Sequence, residues 1–347
     1  MRVLIITAMR NEAPFILEWI AYHRHIGVTD FLIYSNDCDD GTDLMLDRLA
    51  ALGLVTHERN HSGGKKPVQW RALTKAARHP VTAAADWIYV ADVDEFLNIH
   101  AGDGRIADLL AACPTADGFA IPWRMFGNNG VDGFVDAPVR HQFTKAAPDA
   151  LVWPWKAVQF KSLYRNSSRY DKLGVHQPGF GDGDTGGGWV DGNGAPCPMG
   201  FGTAHLTTAP RYGLAQINHY ALGAMDSFLV KQERGKPNHV SESFDLSYWI
   251  ERNFETASDT SIRRHDAPVA AGISALMEDP ELARLHRQAV QFRHARIAEL
   301  KALAPQFAFY CAIRQAGPTV PLPMDVQQQL LRAHIAIRRR EKASGSQ

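Results

Sequence analysis

The sequence predicts an α/β fold with a mostly parallel sheet flanked by helices, followed by a mixed-sheet half and a helical C-terminal region. Three observations predict it. Through the first hundred residues, short apolar runs alternate with segments of helical periodicity. The links between them are short, which suits right-handed β-α-β crossovers. Past residue 100 strand-like runs lie between long loops, and past Met225 helical patterns dominate.

The elements follow in order. Val3–Ala8 is a continuous apolar run, as expected of a strand buried on both faces. Phe15, Ile16, Trp19, Ile20, His23 and Ile26 recur at helical spacing, and Gly27 is placed to end that helix. Phe31–Tyr34 is a second strand, Asp43–Leu52 a second helix closed by Gly53, and Leu54–His57 a third strand. Pro67–Arg78 is a third helix with proline in its first turn, and Trp87–Ala91 a fourth strand. In such sheets ligands bind beyond the carboxyl ends of the strands, here Thr7–Glu12, Ser35–Asp40, His57–Lys66 and Asp92–Glu95. Gly118–Trp123, Lys156–Arg165, Phe201–Leu206 and Leu214–Tyr220 read as later strands. The glycine-rich loop Gly174–Gly202 is long enough to suggest function. The expected division is 1–97, an α/β half; 98–240, the second half of the same domain; and 241–347, a helical extension.

Composition narrows the function classes. The chain has 347 residues, with Lys plus Arg and Asp plus Glu both 37, so the formal charge is zero and a broadly basic nucleic-acid surface is not expected. No run approaches the roughly 18 apolar residues of a membrane span, and Arg10-Asn11-Glu12 cuts the N-terminal run short of a signal peptide. Cys38, Cys113, Cys197 and Cys311 are far apart and form no CxxC pair, which suits a reducing cytoplasm. The basic end from Arg332 reads as a solvated helix end, with docking at the inner face of a membrane as the alternative.

The sharpest local feature is Trp87-Ile88-Tyr89-Val90-Ala91-Asp92-Val93-Asp94-Glu95. Asp92 and Asp94, two apart, leave the sheet on one side if the chain stays extended. Adjacent carboxylates repel unless a cation lies between them, and hard oxygen ligands suit Mg²⁺ or Mn²⁺. For a bare D-x-D a capped surface turn is the commoner outcome; the preceding strand shifts the balance.

These pieces resemble glycosyltransferase family 2, of the GT-A type with a Rossmann-like sheet, in the branch whose acidic motif reads D-x-D-E-F. The resemblance rests on Arg10-Asn11-Glu12, Tyr22-His23 with Gly27-Val28, Asp40-Gly41-Thr42, Gln69 with Ala72, Asp92-Val93-Asp94-Glu95-Phe96, Trp123 with Phe126-Gly127, Asn218-His219-Tyr220, and Lys231 with Arg234-Gly235. It implies transfer of a sugar from a nucleotide diphosphate sugar, most often UDP-linked, to a hydroxyl acceptor with inversion. Thr7, Arg10, Asn11, Glu12 and Asn36 would line the nucleotide, with Gln69 and Arg71 on the helix facing the cleft. Asp92, Asp94 and His219 would hold Mn²⁺ or Mg²⁺, and a neutral imidazole with carboxylates is a donor set that Mn²⁺ accepts. Lys231 and Arg234 would neutralise the leaving diphosphate. Trp123 and Phe126 are candidates for sugar binding, and Trp153, Trp155 and Trp189 could stack on sugar faces, although large aromatics are by default core residues. Asp191 and Glu95 are the candidate bases for the acceptor hydroxyl, with Asp182 and Asp184 as alternatives. One departure stands out: Ser35 and Asn36 occupy positions that are usually acidic. The implied partners are the donor and a glycan or lipid-linked acceptor, with no nucleic acid.

Rival readings are a nucleotide-sugar-binding module without turnover and a sugar nucleotidyltransferase, although Ala8-Met9-Arg10-Asn11 lacks the glycine-rich phosphate loop of the latter. His57-Glu58-Arg59-Asn60-His61 matches the HExxH zinc-protease pattern, but that chemistry needs a helix.

Overall fold

The computed structural model of the protein describes residues 1–61, 63, 67–184, 186–197, 199, 211–235 and 244–344. The predicted alternation forms the first half: β1 (Val3–Met9), α1 (Ile16–Ile26), β2 (Asp30–Ser35), α2 (Thr42–Ala51), β3 (Thr56–Arg59), α3 (Val68–Ala76), a short α4 (Pro80–Ala83) and β4 (Trp87–Val90). β1 lies between β2 and β4, and β3 pairs with β2, all parallel. The continuous apolar run of β1 is explained by its two neighbours in the core. Val3 and Ile5 join the cluster that contains α1, while Leu4 and Ile6 join the one under α3. Each such side chain removed from water contributes about 1.5–3 kcal/mol.

The second half continues through β5 (Glu95–Ile99), α5 (Ile106–Ala112), β6 (Gly118–Met125), α6 (Val139–Gln142), β7 (Lys145–Ala146), β8 (Phe160–Arg165), β9 (Tyr170–Lys172), β10 (Gly179–Phe180), β11 (Trp189–Asp191) and β12 (Ala215–His219). Among the described residues the main sheet has nine strands, in the order β3-β2-β1-β4-β8-β6-β12-β5, with β11 also beside β6. β8 runs antiparallel to β4 and β6, and β5 antiparallel to β12, so this half is mixed. Then come α7 (Met225–Arg234), α8 (Leu246–Ile250), β13 (Ala257–Ser258), α9 (Asp266–Met277), α10 (Pro280–Lys301), α11 (Ala304–Ala316) and α12 (Met324–Ser344).

The differences from the sequence expectations have local causes. A 3-10 turn over Ala13–Phe15, with proline in its first positions, precedes α1. β3 starts two residues later than expected, because the N–H groups of Leu52, Gly53 and Leu54 cap α2, with Gly53 at φ +71°. β8 starts at Phe160 because Trp155–Ala157 forms a 3-10 turn. The expected strand Phe201–Leu206 lies outside the described residues, as does the expected boundary at 240. The boundary at 97 falls inside β5.

α1 fixes the strand that carries the end of the acidic motif. Trp19 Nε1 donates to Glu95 O at 3.1 Å and Tyr22 OH to Leu97 O at 2.8 Å. His23 stacks on Phe96, with ring centroids 5.7 Å apart. α10 returns across the front of the sheet, packing on α2, α7 and the Ala13–Phe15 turn. Arg48 of α2 forms an ion pair with Asp279 at its start.

Candidate functional site

The chain does not stay extended through the acidic motif. Val93 and Asp94 form a turn, and Glu95 N donates to Asp92 O at 3.1 Å. The turn is required because β4 and β5 occupy different places in the sheet. Asp92 and Asp94 therefore do not leave on one side, as their spacing had suggested, but face different partners.

On the Asp92 side, Lys161 of β8 donates from Nζ to Asp92 Oδ2 at 2.9 Å and lies 3.3 Å from Glu95 Oε2. Gln69 Nε2 donates to Asp92 Oδ1 at 3.2 Å, and Asp92 N donates to Glu95 Oε2 at 3.1 Å. Lys161 and Glu95 are both 0% exposed, so their charges cannot be met by water. Burial pushes the Glu95 carboxyl well above its ordinary range, with Lys161 opposing. Burial opposes charge on Lys161, but Asp92 and Glu95 outweigh it and keep the ammonium protonated. Glu95 is thus sealed beneath the site, where it cannot take a proton from a substrate in the cleft.

On the Asp94 side, Lys231 of α7 donates to Asp94 Oδ2 at 2.6 Å and to Ala221 O at 2.7 Å. Burial works against the Asp94 anion, but Lys231 and His219 together outweigh it and hold the carboxyl well below its ordinary value. His219 Nε2 lies 3.6 Å from Asp94 Oδ1. Its imidazole is 5% exposed, and burial lowers its pKa, which keeps it neutral at pH 7. Arg234, one helical turn after Lys231, donates to Glu12 Oε1 and to Arg10 O. Lys231, Arg234 and Glu12 thus gather beside the turn.

The expected nucleotide loop is preorganised. Asn11 sits at φ +55°, a conformation asparagine tolerates, and its side chain exchanges hydrogen bonds with Asp39. Asp40 accepts from Ala13 N at 3.0 Å and from Thr42 N and Oγ1, tying the β1 and β2 exits together. Thr7 and Asn36 are buried. Thr7 Oγ1 has no partner among the described residues, whereas the Asn36 amide is taken up by Met9 O and Asn60. Arg71 donates to His61 O.

The acceptor and base candidates separate. Phe126 is 1% exposed and packs its ring on Tyr220 at 4.8 Å, so it belongs to the core and cannot meet a sugar. Trp123 is half-buried against His219, with ring centroids 4.4 Å apart, and its Nε1 is buried without a partner among the described residues. Trp189 is a core residue packed on Tyr164. Asp191 Oδ1 accepts from Asn193 N and Ala195 N of its own turn. Its strand pairs with the far side of β6, about three strand spacings of roughly 4.8 Å from β4. Asp184 is bound by Arg169. Neither Asp191 nor Asp184 joins Asp92 and Asp94.

A divalent cation needs several donors at one point. Asp94 and His219 could face the same ion, and among the described residues His219 Nδ1 is buried without a partner. Asp92 is turned toward Lys161, and among the described residues no three His, Cys, Asp or Glu side chains gather around a common centre. The set Asp92, Asp94 and His219 therefore does not fit a three-ligand metal centre in this arrangement, where lysines neutralise the carboxylates. The HExxH segment begins in strand β3 and leaves it after Arg59: His57 bonds Asp47 and Ser35 while His61 faces Asp37. That geometry rules out the helical zinc site. Sequence reasoning missed Lys161, whose only signal was a lone lysine within an apolar strand.

The family model and the sequence relatives name one family. The model of glycosyltransferase family 92 matches residues 6–182. The chain is similar to a glycosyltransferase family 92 protein of Oryza sativa subsp. japonica, 30% identical over 110 residues, covering 30% of this chain and 18% of that protein. A family 92 protein of Arabidopsis thaliana is 31% identical over 96 residues, covering 26% and 16%. The matches thus span less than a fifth of these curated relatives. Among solved structures, S. aureus TarS 1-349 in complex with UDP-GlcNAc aligns over 91% of this chain and 90% of that chain, at 13% identity and a TM-score of 0.27. The motifs resemble family 2, whereas the matching family model is that of family 92.

Proposed function

Because the chain belongs to glycosyltransferase family 92, we propose that the cleft at Asp92 and Asp94 moves a sugar from a nucleotide diphosphate sugar to a hydroxyl acceptor. We take the donor as UDP-linked, the acceptor as a glycan or lipid-linked hydroxyl, and the displacement as inverting. The observation that carries the reading is the half-buried Lys231–Asp94 pair, flanked by Arg234 and facing the β1 exit. As the bond to the anomeric carbon breaks, positive character grows on the sugar ring and negative charge on the departing diphosphate. Lys231 and Arg234 would meet that negative charge, and their fixed positions avoid reorganisation during the step. Asp94, anionic at the cleft, would face the sugar. Gln69 and Lys161 hold Asp92 in place. No described helix is long and apolar enough to cross a membrane.

The test is release of nucleoside diphosphate from a panel of UDP-sugars, with and without Mn²⁺ or Mg²⁺. Asp94→Asn should lower turnover at least ~100-fold with an unchanged melting profile. Unchanged turnover in that variant would defeat the assignment. Donor binding without turnover, across a broad acceptor panel, would favour the binding module. Loss of activity on chelation, restored by Mn²⁺, would show that the carboxylates rearrange to take a metal.

A further inference from the structure

Arg293 lies on α10, beyond the residues that the family model matches, yet its side chain reaches the same cavity as Asp94. The cavity has Glu12, Asp94, Lys231, Arg234 and Arg293 among its lining, with aromatic walls that include Phe15 and Phe134. Arg293 is 6% exposed. Its guanidinium carbon stands 4.7 Å from the Phe15 ring centroid and 5.5 Å from that of Phe134, so the cation is wedged between aromatic faces. Its hydrogen bonding falls far short of its capacity: among the described residues Nε is buried without a partner, and Nη1 makes one long bond, 3.5 Å, to Asn11 O. A guanidinium has five donors, and leaving them unmet in a buried position is costly. Three cations meet two carboxylates in this cavity, which leaves positive charge in excess among the described residues. The neighbouring pairs are already settled: Lys231 is on Asp94 and Arg234 on Glu12. Arg293 is the under-satisfied member, and a planar fork of donors matches phosphate oxygens better than a point charge does.

We propose that Arg293 is a third cationic ligand for the donor's diphosphate, so that the C-terminal helix completes an anion site begun by Lys231 and Arg234. The proposal rests on the nucleotide-diphosphate reading above. It also explains why α10 is drawn over the β1 exit, where Arg293 touches the Asn11 backbone in the loop that Arg234 grips from the other side.

The test is calorimetric binding of UDP, inorganic pyrophosphate and uridine to the full chain. R293M keeps the stem between the two rings and removes the charge. It should weaken UDP and pyrophosphate at least 10-fold, leave uridine unchanged, and flatten the salt dependence of UDP binding. R293K should recover part of the loss. K231M should weaken UDP as well. If K231M weakens UDP while R293M binds UDP and pyrophosphate like the parent, the role of Arg293 is overturned and the donor reading stands. If the parent binds neither UDP nor pyrophosphate, the donor reading itself fails. Should R293M melt before it can be assayed, R293K decides: a folded R293K with parental pyrophosphate affinity overturns the proposal, and a 3- to 10-fold loss supports it.

Discussion

Lys161 shows how one residue sets the character of the site. It is fully buried and shared by Asp92 and Glu95, and nothing else among the described residues is positioned to balance both. A buried pair gains little over an apolar replacement of both partners, but removing one partner leaves the other uncompensated. Lys161→Met should therefore cost about 3–5 kcal/mol at pH 7. Urea titration checks this, with the deficit shrinking in acid as Glu95 takes a proton. A loss below ~1 kcal/mol would mean that Glu95 is already neutral in the folded protein. Little of this was legible beforehand. The D-x-D spacing located the carboxylates, but not that a turn would send them to opposite sides. Lys231 and Arg234 were legible as cations one helical turn apart, since periodicity places such residues on one face.

At the scale of elements, α1 does more than cover the sheet. Its buried face holds β5 through Trp19 and Tyr22, so its length and its end matter to the site. Gly27 stops it at φ +113°, with its N–H on Arg24 O. A Cβ there would meet Ile106 no closer than 3.8 Å, so the cost of substitution is conformational and not steric. Gly27→Ala should destabilise by about 1–2 kcal/mol while leaving donor binding intact; thermal melts and UDP titration read the two effects apart. This helix and its glycine stop were plain in the sequence. β5 was not: it follows the acidic turn without a break, and its all-buried pattern arises only once it pairs with β12.

Over the whole molecule, burial of titratable groups sets the pH response. His23 is 0% exposed inside α1, and burial holds its imidazole down at about 3. In the unfolded chain it titrates near 6.5, so between these values the unfolded state binds more protons. Stability is then complete above about pH 6.5 and falls as pH drops toward the folded value. Urea midpoints should decline steadily from pH 7 to pH 4, and His23→Leu should flatten that slope. An equally steep decline in the variant would assign the effect to other groups. His219 shifts in the same direction and adds to the trend.

The amino-acid sequence by itself determined the alternation of strands and helices, the parallel direction of the first four strands, and the position of the acidic motif where the fourth one ends. These follow from periodicity and glycine stops, which act over a few residues. Only the tertiary structure decided what the two carboxylates face. Lys161 meets Asp92 across 69 positions of chain and Lys231 meets Asp94 across 137. Arg293 meets Asn11 across 282. Pairings at such separations are set by sheet register and by the packing of distant helices, and no local pattern records which cation a given carboxylate will find.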